Sequence, residues 1–491
     1  MSAAPTSSSS ARSSAARCFS ASATRSSSSS GGGACMTTAS GSVPSWPRST
    51  SPWRTTSPPA GLRPARRRSS NRSWPAPPGP RSDMFNSPSV IVGLEIGTSK
   101  ICAVVGEVNE SDELNITGIG QCRSRGVRKG EIVDSGRAEE DIRVAIAEAE
   151  QMADVEIRSV YLGVTGSHIA SLVNRGVHPV VSADREISND DVEDAIKNAK
   201  AVRLPADNEI LHATRHHFMV DGQEGIVDPV GMLGSRVEID MHVIHGNINR
   251  LQNPIRSVKN LQLEVDSVVF NGLAAALSVL TPEQRRMGAL VIDIGGGVTN
   301  YIVYGGGAIK HAGVLAVGGD HLTNDLAYGL KVPLKRAEQL KVDYGAALVT
   351  DSIRGQTVTT VAELGLPSKT INLEHLQHIM SLRVEEMFQL IEQEIAAAGL
   401  LNYLSAGVVL CGGASRVPRI QEAAERVFQL PVTLGRANSI SGIKSALDQP
   451  EFATAIGLVR FGSFQEKRKP RATSLGSVIK ETFFSFRRSM V

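Results

Sequence analysis

From Ser89 onward the chain alternates between short apolar runs and polar breaks that contain glycine. The first run, Ser89-Val-Ile-Val-Gly-Leu-Glu95-Ile-Gly97-Thr98-Ser99-Lys100, predicts a strand that ends on an acid followed by Ile-Gly. A second strand is expected over Ile101–Val108, a turn at Asn109–Asp112, and a third strand near Leu114–Gly120. The same pattern returns two hundred residues later. Ala289-Leu-Val-Ile-Asp293-Ile-Gly295-Gly296-Gly297 is again an apolar run, an acid, Ile-Gly and a tight turn; strands at Tyr301–Tyr304 and Ala308–Val314 follow. A third run, Gly407-Val-Val-Leu-Cys411-Gly412-Gly413-Ala-Ser-Arg416-Val-Pro418, predicts a buried strand, a Gly-Gly turn and a helix to about Phe428 with Pro418 in its first turn.

Between the two copies, residues 165–248 carry a separate pattern. A helix signal at Ser188-Asn-Asp-Asp-Val-Glu-Asp-Ala-Ile is followed by strand-like segments at Ile210–Val220 and Arg236–His245. This is a small α+β insertion. At the other end, Gly462–Thr473 is polar and basic and reads as a linker, and residues 474–491 regain helical periodicity. At 100° per residue, Leu475, Val478, Ile479, Phe483, Phe486 and Met490 share one face, flanked by Lys480 and Arg487, with Phe484 off the pattern. Ser474 is a credible N-cap.

Charge sharpens this division. The formal net charge is +3, but residues 1–83 carry +10 and leave −7 on residues 84–491. The body therefore lacks the basic stripe that nucleic-acid binding needs. Residues 467–491 hold seven basic residues and one acid, a cationic amphipathic profile suited to a membrane interface. No apolar run approaches the ~20 residues that span a bilayer. Residues 1–83 are rich in Ser, Arg, Pro and Ala without a hydrophobic period, although they contain all three tryptophans. They read as a disordered leader, or as translation begun upstream of a start at Met84; a transit peptide would be amphipathic, and this segment is not. The five cysteines form no CxxC pair, so neither a disulfide framework nor a zinc site is indicated.

The repeated acid-Ile-Gly hairpin has a chemical reading. Glycines let backbone N–H groups approach phosphate oxygens, and a carboxylate at a strand end holds a hydrated Mg²⁺ or orders a water. Two facing copies would clamp a nucleotide's phosphates. The spacing matches neither a Walker A loop nor a dinucleotide-binding fingerprint.

These elements, in this order, resemble the actin superfamily, and within it most closely the FtsA family of bacterial division proteins. Val92-Gly-Leu-Glu-Ile-Gly-Thr-Ser-Lys100 resembles the first phosphate motif, with Glu where relatives carry Asp, and Asp293-Ile-Gly-Gly-Gly297 resembles the second. Gly318-Gly319-Asp-His-Leu-Thr-Asn-Asp-Leu-Ala327 resembles the loop after it, Ala337-Glu338-Gln-Leu-Lys341 the ribose- and base-holding helix, Gly412-Gly413-Ala-Ser-Arg416 the adenosine motif, and Ala453–Val459 the final connecting helix.

The resemblance implies an α/β, actin-like two-lobed fold: a duplicated ribonuclease-H-like core with an inserted subdomain 1C and a C-terminal amphipathic helix. Lobe 1 would take residues 84–164 and 249–286, and lobe 2 residues 287–461. It implies ATP and Mg²⁺ as cofactors. Gly97, Thr98, Ser99, Lys100, Gly295, Gly296 and Gly297 would lie on the phosphates, Gly318 and Gly319 beside them, and Glu338, Lys341, Gly412, Gly413 and Arg416 around the adenosine. Asp293 would hold the metal through water, and Asp293 or Glu95 would be the candidate to activate water if hydrolysis occurs. The implied partners are FtsZ, further copies of the chain, anionic lipids of the inner membrane and later division proteins, at the cytoplasmic face of the division site. The second motif departs from the family's Gly-Gly-Gly-Thr-x-Asp by reading Gly297-Val298-Thr299-Asn300, which argues for weak or absent hydrolysis. A PilM-like pilus scaffold shares the insertion but should lack the tail. A sugar kinase would need a second substrate pocket with its own base, and a chaperone ATPase a further domain.

Overall fold

The apolar runs become the inner strands of two sheets, where burial on both faces selects unbroken Val, Ile and Leu. In the computed structural model, residues 89–109, 113–360, 367–437, 441–443 and 448–468 are described. All lie within one compact unit, residues 83–491. The first hairpin is β1 (Ser89–Ile96) and β2 (Lys100–Val108), extended by β3 (Leu114–Arg123). A small hairpin, β4 (Val127–Arg128) and β5 (Glu131–Ile132), leads into α1 (Ser135–Ala153) and then β6 (Ser159–Val164), parallel to β1. The chain next builds a separate sheet from β7 (Ala170–Pro179), β8 (Asn208–Val220), β9 (Gln223–Ile226) and β10 (Arg236–Asn247), covered by α2 (Asn189–Lys200). It returns through α3 (Ile248–Asn260), β11 (Glu264–Phe270), α4 (Asn271–Val279) and α5 (Pro282–Met287).

The second core repeats the first. Its strands are β12 (Ala289–Ile294), β13 (Thr299–Gly305) and β14 (Ala308–Leu315). They are followed by α6 (Gly319–Gly329), α7 (Leu334–Tyr344), a short hairpin of β15 (Thr357–Thr360) and β16 (Lys369–Asn372), α8 (Leu373–Ala397), β17 (Val408–Cys411), α9 (Ile420–Phe428) and β18 (Val432–Leu434). The strand orders are β3-β2-β1-β6-β11 and β14-β13-β12-β17-β18: an antiparallel meander, then two parallel strands, in both. The duplication read from the two acid-Ile-Gly hairpins is thus a duplication of whole sheets. The two-residue β19 (Ser441–Gly442) pairs with the edge of β3.

The insertion folds as expected. Ser188 caps α2, with its hydroxyl accepting from the Asp191 N–H and the Asp191 carboxylate accepting from the Ser188 N–H. Its own core gathers Ile187, Ala195, Phe218, Val237, Ile239 and Val243.

The helix Ala453–Arg468 follows lobe 2 in sequence but packs on lobe 1, against α4 and β1. Glycines make the seat. A Cβ on Gly93 would stand 2.6 Å from the Ala455 carbonyl oxygen, and one on Gly457 1.8 Å from that of Ala274. This helix runs past Phe461 and takes in residues 462–468 of the segment read as a linker, because Gly462 is buried against Ile91 and Tyr161. A second expectation is also corrected. Pro418 does not sit in the first turn of α9; a 3₁₀ turn spans Gly413–Arg416, and α9 begins at Ile420 after Arg419 takes a left-handed φ of 62°. The amphipathic segment 474–491 and residues 1–83 lie outside the described residues.

Candidate nucleotide site between two glycine-tipped hairpins

Each hairpin tip closes on one backbone bond: Gly97 N–H to the Lys100 carbonyl at 3.0 Å, and Gly295 N–H to the Val298 carbonyl at 2.9 Å. The acids hold equivalent places in the two sheets. Glu95 lies opposite Cys102 on β2 and Gly163 on β6; Asp293 lies opposite Asn300 on β13 and Cys411 on β17. The tips meet face to face. A Cβ on Gly297 would fall 2.7 Å from Thr98 Oγ1, and one on Gly296 3.0 Å from Ser99 Cβ, so glycine alone allows this approach. The next loop is sewn to the second tip by bonds from the Gly319 and Asp320 N–H groups to the Gly295 and Gly296 carbonyls, at 2.9 and 2.7 Å. Gly412 has φ 83°, and a Cβ there would meet Asp293 Oδ1 at 2.5 Å.

A cavity of about 280 Å³ opens between the tips, lined by Glu95, Gly97–Lys100, Asp293, Gly295–Gly297, Gly412, Gly413 and Arg416. A second, of about 420 Å³, adjoins it through Ser99, Gly295, Gly296, Gly413 and Arg416, and adds Gly319, Glu338 and Lys341. Of the site residues expected in the body, the structure brings all but Gly318 to one two-chambered cleft. Gly318 alone lies off its walls, at the N-cap of α6. Lys341 Nζ is held by Glu338 at 2.7 Å, by Thr323 Oγ1 at 2.9 Å and by the Gly319 carbonyl at 3.2 Å.

The cleft floor is electrostatically unfinished. Among the described residues, Glu95 Oε2, Lys100 Nζ, Asn271 Oδ1 and Glu451 Oε2 are buried on this cavity's wall without a hydrogen-bond partner. Buried polar atoms are normally paired, so such a cluster marks a place built for a guest. The Lys100 ammonium, 3.9 Å above the Phe452 ring, suits phosphate oxygens, and the two carboxylates suit a hydrated cation. No three His, Cys, Asp or Glu side chains cluster as a metal cage among the described residues, so a metal here would draw its other ligands from phosphate and water. The residues thus fit Mg²⁺ carried with a nucleotide.

Burial pushes the Glu95 carboxyl up from 4.5 to about 7; Lys100 opposes the rise and Asp293 adds to it. Asp293 is also raised by burial, against hydrogen bonds from Asn300 (3.0 Å) and Thr454 (3.2 Å) and the charge of Lys100. A carboxyl raised in the folded state favours folding below its unfolded value, and that contribution is lost as pH rises through the folded value. The Glu95 cost thus builds up as pH rises from 4.5 to about 7 and is full above that, on the order of 3 kcal/mol at about 1.4 kcal/mol per tenfold. Glu95→Gln should leave the melting temperature unchanged near pH 4.5 and raise it at pH 8. A variant that melts with the parent at both values would contradict the raised carboxyl.

Sequence reading missed Gln121, Thr165, Asn271 and Glu451 on the cavity wall, and Thr454 behind Asp293. Thr454 falls inside the connecting-helix motif and Asn271 directly follows a strand, but neither position announces where its side chain arrives.

Comparisons with known proteins show the family. The profile for the cell division protein FtsA matches residues 290–457, and that for the SHS2 domain inserted in FtsA matches residues 166–245. The chain is 38% identical to the cell division protein FtsA of Pseudomonas aeruginosa over 376 residues, covering 77% of this chain and 90% of that one. It is 35% identical to the Escherichia coli K12 cell division protein FtsA over 404 residues, covering 80% and 96%. Among solved structures, the PilM–PilN type IV pilus biogenesis complex superposes with a TM-score of 0.53 at 15% identity, over 76% of this chain and 98% of that chain, a likeness of fold alone. No described helix is long and apolar enough to cross a membrane. With that identity over most of both chains, an insertion that matches the family's own and a duplicated core on an actin-like plan, the chain belongs to the FtsA family of cell division proteins.

Proposed function

We propose that this cell division protein binds ATP with Mg²⁺ in the cleft, assembles into filaments, and ties the FtsZ ring to the inner membrane through residues 474–491. The observation that carries the nucleotide reading is the pair of buried carboxylates at equivalent places on facing glycine tips, surrounded by unpartnered buried polar atoms. Backbone N–H groups of both tips would take the phosphates, Lys100 would neutralise them, and Asp293 would orient the hydrated metal. Glu338, Lys341 and Arg416 would frame the adenosine. The anchor reading rests on the cationic amphipathic pattern of the tail, and FtsZ and the later division proteins as partners rest on family membership. The pilus reading is weaker, because the likeness to PilM is confined to fold.

Calorimetry tests the site. Removing the Asp293 carboxylate deletes a charged contact worth ~1.5–3 kcal/mol, or roughly ten- to a hundredfold in Kd. Asp293→Ala should weaken Mg-ATP binding by that factor; unchanged affinity would sink the assignment. Turnover should stay far below the ~10 s⁻¹ of ordinary enzymes. The amide of Asn300, where the family carries an acid, is already committed to Asp293 and offers no base. Phosphate release near 10 s⁻¹ would contradict this.

A further inference from the structure

The inserted subdomain belongs to lobe 1 by chain connection, yet it is bonded to lobe 2. Ser171 Oγ on β7 donates to the Ala312 carbonyl on β14 at 2.7 Å and accepts from the Ala312 N–H at 3.1 Å. His216 on β8 stands 2.6 Å through Nε2 from the Ile309 carbonyl. Both contacts fall on the edge strand beside β13, which carries Asn300. The third contact lies at the insertion's neck. Thr165, the residue after β6, donates its hydroxyl to Asn300 Oδ1, while Asn300 Nδ2 donates to Asp293 Oδ2 at 3.0 Å. Thr165 and Asn300 are both buried. The neck also touches the support of the first glycine tip: a Cβ on Gly130 would meet Thr165 Cγ2 at 2.7 Å, and the Gly130 N–H donates to Thr98 Oγ1 at 2.8 Å.

An amide suits the middle of this chain because it has two unlike ends. Its NH₂ must face the Asp293 carboxylate, so its carbonyl must face a donor, and Thr165 supplies one. An acid at position 300 would set two carboxylates side by side. Removing the hydroxyl leaves a buried carbonyl unpaired and frees the amide to turn away from Asp293.

We infer that the neck of the inserted subdomain is part of the metal end of the nucleotide site, with Thr165 acting through Asn300 as a positioning residue for the Asp293 carboxylate. The inference rests on the nucleotide reading above and extends it: the insertion reports on, and is held by, the state of Asp293. Thr165→Val keeps the side chain's shape and deletes only the hydroxyl, whereas Thr165→Ser restores it.

The test measures ADP affinity of the full chain with Mg²⁺ and again in EDTA, together with hydrogen exchange of the neck peptide in the ligand-free protein. Thr165→Val should lose about tenfold in affinity with Mg²⁺, the scale of one buried polar group left unpaired, and match the parent in EDTA. Thr165→Ser should bind within about twofold of the parent in both buffers, and the neck should exchange faster in the Val variant alone. Unchanged Mg²⁺-dependent affinity in Thr165→Val overturns the inference. So does an equal loss in both buffers, which marks a merely structural residue. Failure of the nucleotide reading itself shows separately, as a parent protein that binds ADP in neither buffer.

Discussion

Replacing Gly457 by alanine should destabilise the protein strongly for a single added methyl group. The Cβ would lie 1.8 Å from the Ala274 carbonyl oxygen and 2.4 Å from its carbon, both backbone atoms of α4. No side chain can rotate to make room, so the helix Ala453–Arg468 must move off α4. That helix also closes over β1, where the Gly93 Cα leaves the Ala455 carbonyl no spare space, so the shift spreads across the lobe 1 core. Overpacking typically costs ~1–3 kcal/mol, and a backbone-to-backbone clash belongs at or above that upper end. Against a total stability of roughly 5–15 kcal/mol this is a large fraction. Chemical denaturation with Gly136→Ala as control checks it. Gly136 lies in the first turn of α1 with only Asp134 Oδ1 near, at 3.7 Å, so its methyl group should be neutral or stabilising. A Gly457→Ala protein that unfolds with the parent would show that the helices do not cross at this spacing.

The second large effect is expected on membranes. Burying the six apolar side chains of the tail yields at most ~9–18 kcal/mol, at ~1.5–3 kcal/mol each. Ordering about 17 residues costs ~17–34 kcal/mol, and each basic residue near anionic lipid returns only ~1 kcal/mol. If the tail is the anchor, a single tail should bind weakly, and a filament presenting many tails should bind strongly through effective concentration. Phe483→Glu or Phe486→Glu removes ~1.5–3 kcal/mol of burial per protomer, roughly ten- to a hundredfold, and every protomer of a filament repeats the loss. Flotation on anionic liposomes should fall to background for either Glu variant and for a polymerisation-defective variant. Glu variants that float like the parent would exclude the tail as anchor. Normal flotation of the polymerisation-defective variant would remove the need for many tails.

What the chain's own order determined was local and repeated. Short apolar runs ending on Glu95 and Asp293, each followed by Ile-Gly, specify two strands and two tight turns, because strand burial and turn chemistry act within about ten residues. The α2 start was legible for the same reason: Ser188 and Asp191 satisfy each other's backbone N–H groups within a single turn. The placement of Pro418 was misread because a local rule for helix starts yielded to the left-handed turn at Arg419.

Other features depend on residues far apart in sequence. Gly93 and Gly457 look like ordinary glycines until the last helix crosses back onto lobe 1 and removes the space any side chain would fill. Glu95 has the sequence neighbourhood of Asp293, yet only the fold's burial lifts its carboxyl to about 7 and leaves its second oxygen without a partner, while Asp293, also raised by burial, receives opposing donors from Asn300 and Thr454. Thr165 and Asn300 stand 135 positions apart and meet because two sheets of one plan face each other. Turn and strand signals are carried by near neighbours and survive in the sequence; desolvation, close backbone approach and the pairing of buried polar groups arise only when the tertiary fold brings distant residues together.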